Sequence, residues 1–123
     1  MTATVNLTDP IQRGDTLSFE FNWDNGHAQN PQPIDMRNKT LILSFKLSNL
    51  MEDSEAQVKV SLTTGPDDVV AEAGRVVMTV SRTESQNLIA GAVHYYALRV
   101  LEASGDDVVE VTHVQGSVPV VDA

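Results

Sequence analysis

Residues Leu17 to Asp24, LSFEFNWD, set the strongest constraint on what this chain can fold into. Leu17, Phe19, Phe21 and Trp23 alternate with Ser18, Glu20, Asn22 and Asp24. A period of two places every large apolar side chain on one face of an extended strand; a helix would scatter them around its circumference. Such a strand needs partners along its edges and a second layer over its apolar face.

The stretch Leu88 to Leu101, LIAGAVHYYALRVL, supplies the other anchor. Val93, Tyr95, Tyr96, Leu98, Val100 and Leu101 are β-branched, aromatic or aliphatic and favour a pleated, half-buried strand with neighbours on both edges. Those neighbours are legible elsewhere as alternating runs: Leu41 to Ser48, Val58 to Leu62, Val76 to Val80, and Val109 to Val121. Residues 2 to 8 alternate weakly and end at Asp9-Pro10, as expected of a short edge strand. Arg13-Gly14-Asp15-Thr16, Asp24-Asn25-Gly26, Thr64-Gly65-Pro66-Asp67 and Ser104-Gly105-Asp106-Asp107 read as turns.

Between these lie less regular pieces. His27 to Asn38 reads as a loop, with Ile34 and Met36 tucked against the core edge, and Met51 to Glu55 as an acidic link. Val69 to Glu72 reads as a short strand or irregular chain. Thr83 to Ala90 reads as a single helical turn, capped by Thr83 with Gln86 completing a box and ended by Gly91. Gly116 is expected to break or bulge the last strand. No stretch of ten or more residues has the helical period, which excludes an α/β architecture. The pattern predicts one all-β domain over residues 1–123, a sandwich of seven to eight strands with at most one short helical turn near residues 83–90.

At 123 residues the chain is long enough for a single core, and with no cysteine that core has to hold without disulfides. The first ten residues lack the basic-then-apolar run of a secretory signal, and no apolar stretch approaches the roughly 18 residues of a membrane span. Neither export nor membrane insertion is expected. A net charge of −9, with eight basic residues scattered from Arg13 to Arg99, argues against nucleic acid as a partner.

Candidate chemistry is sparse. His27, His94 and His113 match no zinc spacing. The acidic clusters Glu52-Asp53-Glu55, Asp67-Asp68 and Asp106-Asp107 lack the ligand alternation of a calcium loop. There is no nucleophile elbow and no phosphate-cradling glycine loop. No catalytic, cofactor-binding or metal site is expected. Arg13-Gly14-Asp15 spells an adhesion tripeptide, but a turn before a strand accounts for Gly14 and Asp15. Trp23 shares a face with Phe19 and Phe21 and is assigned to the core. Tyr95 and Tyr96 are adjacent, so they point to opposite faces, and the exposed one suits a protein contact.

The order of Arg13-Gly14-Asp15-Thr16 before an apolar strand, Pro33-Ile34-Asp35-Met36 before another, Leu88-x-x-Gly91 leading to Tyr95-Tyr96, and Gly116-x-Val118-x-Val120 resembles a family. It is similar to the immunoglobulin-like N-terminal domain of tailed-phage baseplate upper proteins, with its "GDT … PIDLTG … L-x-x-G-x-Y-x-Y-D … G-x-V-x-V" arrangement. The chain departs from it at Met36-Arg37-Asn38, where the family has Leu-Thr-Gly, and at Ala97, where the family often has an acid. The resemblance implies an immunoglobulin-like sandwich that is a virion component, made in the host cytoplasm. It would be neither an enzyme nor a nucleic-acid or membrane binder and would need no cofactor. Its partners would be other phage structural proteins and further copies of itself, as a homo-oligomer in the tail or baseplate. Capsid decoration is the other position in the particle. Tyr95, Tyr96, Pro33, Ile34 and Asp35 are the residues expected at such contacts. The alternative is a carbohydrate- or host-surface-binding module; a third is an enzyme of unrecognised type.

Overall fold

The computed structural model describes residues 2–7, 10–27, 29–48, 55–104 and 107–122, with backbone only at 103 and 104. Most of the acidic link, the centre of the Ser104–Asp107 turn, and Asp9 lie outside the described residues. Among the described residues eight strands form two sheets: β1 (Thr2–Asn6), β2 (Ile11–Arg13), β3 (Leu17–Asp24), β4 (Thr40–Lys46), β5 (Val58–Thr63), β6 (Arg75–Val80), β7 (Val93–Ser104) and β8 (Asp107–Asp122). One sheet has the order β1-β3-β6 and the other β2-β8-β7-β4-β5. All pairs are antiparallel except β2 with β8. The early chain is thus split, β1 joining one sheet and β2 crossing to the other, in the arrangement of an immunoglobulin-like sandwich.

The expected alternation decides which faces meet. Phe19, Phe21 and Trp23 of β3 are buried, as are Val76, Met78 and Val80 of β6. Opposite them lie Leu41, Leu43 and Phe45 of β4, Leu98 and Val100 of β7, and Val118 and Val120 of β8. The Phe19 and Phe45 rings pack across the two sheets with centroids 5.4 Å apart, and Phe45 in turn meets Tyr96 at 6.3 Å. β7 runs between β4 and β8, so both its edges are paired. No helix among the described residues is long and apolar enough to cross a membrane.

Three local features differ from the expectation. Val69–Glu72 is a helical turn, α1, so among the described residues there are two short α-helices and not one. Asp68 caps it, its carboxylate accepting from the amides of Val70 and Ala71 at 3.1 and 3.0 Å. Both valines are exposed and only Ala71 is buried, so their β propensity is overridden by the cap and by Gly74 just beyond. The other helix, α2, spans Arg82–Ser85 and is capped by Ser81 rather than Thr83: Ser81 Oγ accepts the Glu84 amide at 3.2 Å and donates to Glu84 Oε1 at 3.3 Å, with no part for Gln86. Gly116 neither breaks nor bulges β8: it pairs in register with Tyr96, and the irregularity falls at Leu98/Arg99, where His113 is the extra residue. A Cβ on Gly116 would lie 2.6 Å from the Tyr96 hydroxyl oxygen, so the glycine makes room for that ring.

Two positions hold left-handed backbone for a structural reason. Asn38, at φ 58°, turns the chain into β4, and asparagine is one of the few residues other than glycine that tolerates this region. Gly74, at φ 77°, lies where the end of β3 meets the Pro33–Ile34 segment, and a Cβ there would sit 2.5 Å from the Trp23 carbonyl oxygen. Gly74→Ala is therefore expected to cost at least about 2 kcal/mol, the left-handed penalty plus a backbone clash. Gly65→Ala, with open space around it, is the control and should change stability little. Leu98→Ala should cost about 2–5 kcal/mol as a cavity in the core; urea denaturation of the three variants checks all of these.

Candidate functional site

The polar groups that sequence inspection singles out fall into ties that hold the fold and surfaces that remain open. The Arg-Gly-Asp turn is a tie. The Arg13 Nε–H donates to the carbonyls of Gln86 and Leu88 at 3.1 and 2.9 Å. The Gly14 amide donates to Ser85 Oγ at 3.0 Å, and that hydroxyl donates to the Asp15 carbonyl at 2.7 Å. Ser85 is fully buried. The tripeptide thus docks the β2–β3 turn onto α2 and does not present a free adhesion loop.

The histidines are ties as well. His94 is buried at the start of β7. Its Nε2 accepts the Ile89 amide at 3.2 Å, so the proton resides on Nδ1, which faces the Ala92 carbonyl at 3.3 Å. Where a tyrosine hydroxyl would brace this strand in an immunoglobulin domain, an imidazole braces it here. His113, in the bulge, accepts the Trp23 indole N–H at Nδ1 over 3.0 Å and donates from Nε2 to Glu102 Oε1 at 2.9 Å. That chain joins the three-stranded sheet to β8 and on to β7. His27 lies in the exposed loop after β3. Among the described residues no three His, Cys, Asp or Glu side chains gather into a metal-holding group.

The five residues expected at contacts are not brought together. Tyr95 is on the outer face of the five-stranded sheet, 40% exposed, and Tyr96 is half-buried on the core face, where burial raises its pKa. Pro33 bridges Asp24 at the other end of β3, and Ile34 packs on the core. Asp35 is exposed and held by Arg37: the guanidinium, and then the Arg37 amide, lower its pKa. Tyr95 and the Pro33–Asp35 segment therefore belong to separate surfaces.

A surface that the sequence pattern did not single out is the far part of the β7–β8 hairpin. β4 pairs with β7 only as far as Val100, whereas β7 and β8 continue together to the Ser104–Asp107 pair. β2 covers β8 only at 120–122. Among the described residues no strand pairs with either edge of this two-stranded arm, which carries Val108, Val109 and Val111 at 68, 41 and 36% exposure. Its signal in the sequence was the length of the two runs, which exceeds that of any neighbour. The His113–Glu102 bond lies at its base. Compared with known protein families and with curated proteins, the chain matches none.

Burial pushes the His94 imidazole below its ordinary value, opposed in smaller part by the Ala92 carbonyl. The unfolded chain therefore takes up a proton more readily than the folded one. The stability from neutral His94 is complete above the unfolded value of about 6.5 and is lost as pH falls through the folded value. His94→Gln should flatten the pH dependence of the urea midpoint below about pH 6.5 relative to the unsubstituted chain. Asp35 carries the same sign, but its stabilisation is lost only below about pH 4, so the two windows are separable in one titration series.

Proposed function

We propose that this chain is a non-enzymatic structural module of a tailed-phage particle, in the tail or baseplate or decorating the capsid, that works through protein–protein contacts. The observation that carries the reading is the β7–β8 arm. A two-stranded ribbon in water is marginal by itself and gains stability when another surface covers it. Three exposed β-branched side chains and unpaired strand edges are what a protein partner pairs with by strand addition or apolar packing. The core does not need this extension, since β4 and β7 have finished pairing before it begins.

The motif order from Arg13-Gly14-Asp15-Thr16 to Gly116-x-Val118-x-Val120 supports the phage assignment. The polar groups with catalytic potential, His94, His113 and Ser85, are already engaged in structural bonds. The partner is expected to supply apolar and basic side chains, because Glu102, Asp107 and Glu110 accompany the valines.

Mass spectrometry of particles from the virus that encodes the chain is expected to find it at a fixed ratio to the other structural proteins. A chain confined to the soluble fraction of the infected cell would reject the reading. Val108→Asp should leave stability within about 0.5 kcal/mol, as for an exposed site, while lowering incorporation into particles at least about tenfold, the loss of roughly 1.4 kcal/mol of docking energy. Undiminished incorporation would remove the arm from the interface.

A further inference from the structure

The β7–β8 arm has two edges and two faces, and strand register fixes what each presents. Past Val100 the β7 edge extends only to Ser104, whereas β8 runs from Asp107 to Thr112 before the His113 bulge, and β2 joins it only at Val120. In an antiparallel pair every second residue aims its N–H and C=O away from the partner, so this β8 edge carries about three such sets of backbone groups. Val111 pairs with buried Val100, so Val109 and Val111 continue the core face of the sheet past the point where the core ends. Val108 and Glu110 lie on the opposite face, Glu110 beside Leu101.

The charge on this part of the chain has one sign. From Val100 to Ala123 the sequence contains Glu102, Asp106, Asp107, Glu110 and Asp122 but no lysine or arginine. Glu102 is held by His113. Asp107 and Glu110 are exposed, and neither forms an ion pair with any described residue. Read from Val111 back to Asp107, the edge is apolar, acidic, apolar, apolar, acidic. A second copy of the chain would bring acids to acids, and a net charge of −9 on each opposes the approach.

Resting on the reading in which the arm is the docking element, we propose that its occupant is an extended basic strand of another protein, added antiparallel to β8 along Asp107–Thr112. Directly opposed residues of an antiparallel pair share a face and interact. From its N-terminal end the added strand therefore carries an apolar residue opposite Val111 and Lys or Arg opposite Glu110. Apolar residues follow opposite Val109 and Val108, then Lys or Arg opposite Asp107. Backbone bonds supply the affinity, and the spacing of the two cations selects the register. The addition turns a two-stranded ribbon into a three-stranded one, the size at which a sheet with an apolar face becomes stable in water.

The test titrates the intact, isotope-labelled chain with end-capped peptides, followed by two-dimensional NMR, and sediments the chain alone in parallel. The matched probe is Thr-Val-Lys-Val-Val-Lys-Thr. One control replaces both lysines with glutamate; the other, Thr-Val-Val-Lys-Lys-Val-Thr, keeps the composition and changes the spacing. The matched probe should saturate with a Kd below about 2 mM and shift the amides of residues 107–112. It should bind at least about tenfold more tightly than the glutamate probe, two opposite-charge pairs against two like-charge pairs, and about threefold more tightly than the respaced one. Raising sodium chloride from about 50 to 300 mM should weaken it severalfold. Glu110→Lys, at an exposed position, should leave the melting temperature unchanged and bring the lysine and glutamate probes to within about twofold of each other, since each then meets one opposite and one like charge. No saturation up to about 10 mM would overturn the proposal, as would equal binding of the glutamate probe or shifts confined to other parts of the chain. Dimerisation of the chain alone, abolished by Val108→Asp, would overturn it in favour of a second copy. Incorporation into particles that needs Val108 while no peptide binds would reject the basic strand and keep the arm as the docking element. Incorporation indifferent to Val108 would reject the arm itself, whatever the peptides do.

Discussion

The structure depends on apolar contact between two sheets that no disulfide cross-links. Immunoglobulin-type sandwiches often cross-link the strands that β3 and β7 represent here, but this chain has no cysteine. Phe21 on β3 and Leu98 on β7 are both fully buried in the same core cluster, and Phe19, Phe45 and Tyr96 carry a line of rings from one sheet to the other. Large aromatic side chains suit the task because each removes far more surface from water than an aliphatic one. The three phenylalanines and the tryptophan are all spent inside.

Once the sheets are joined this way, the loops must be tied down without leaving buried polar groups unpaired. Each tie brings a polar side chain to a backbone group or to another side chain that the fold places beside it. Arg13 and Ser85 join the β2–β3 turn to α2. The Thr64 hydroxyl donates to the Met36 carbonyl at 2.6 Å and accepts the Lys39 amide at 2.9 Å, fixing the approach to β4. His94 closes the turn before β7, and His113 connects Trp23 to Glu102. Residues that read as an adhesion motif or as metal ligands in isolation are thus the polar half of the folding problem.

How much of this was legible follows from the range of each interaction. β3, β4, β6 and β7 were readable because one buried face and one wet face write a period of two directly into the sequence. The cap of α1 was also local: Asp68, with Gly74 six residues on, is a stop-and-start signal, but Val69 and Val70 suggested extended chain more strongly. The His113 bulge was not readable, because an extra residue is defined only against its partner strand. The burial of Ser44 and Lys46, 2 and 7% exposed on what alternation marks as the wet face, depends likewise on what packs around them, which no local period encodes. The candidate surfaces were the least legible. Tyr95 was recognisable as one of two adjacent rings, but only strand register showed that it faces Lys46 and Ser117, far from the Pro33–Asp35 segment expected to share its role.

Function is best sought where the demands of folding run out. β7 and β8 outrun β4, and beyond the Glu102–His113 tie nothing among the described core residues accounts for the extra pairs. Valines are retained there at exposed positions, a liability for a free ribbon that soluble proteins commonly blunt with lysine or proline.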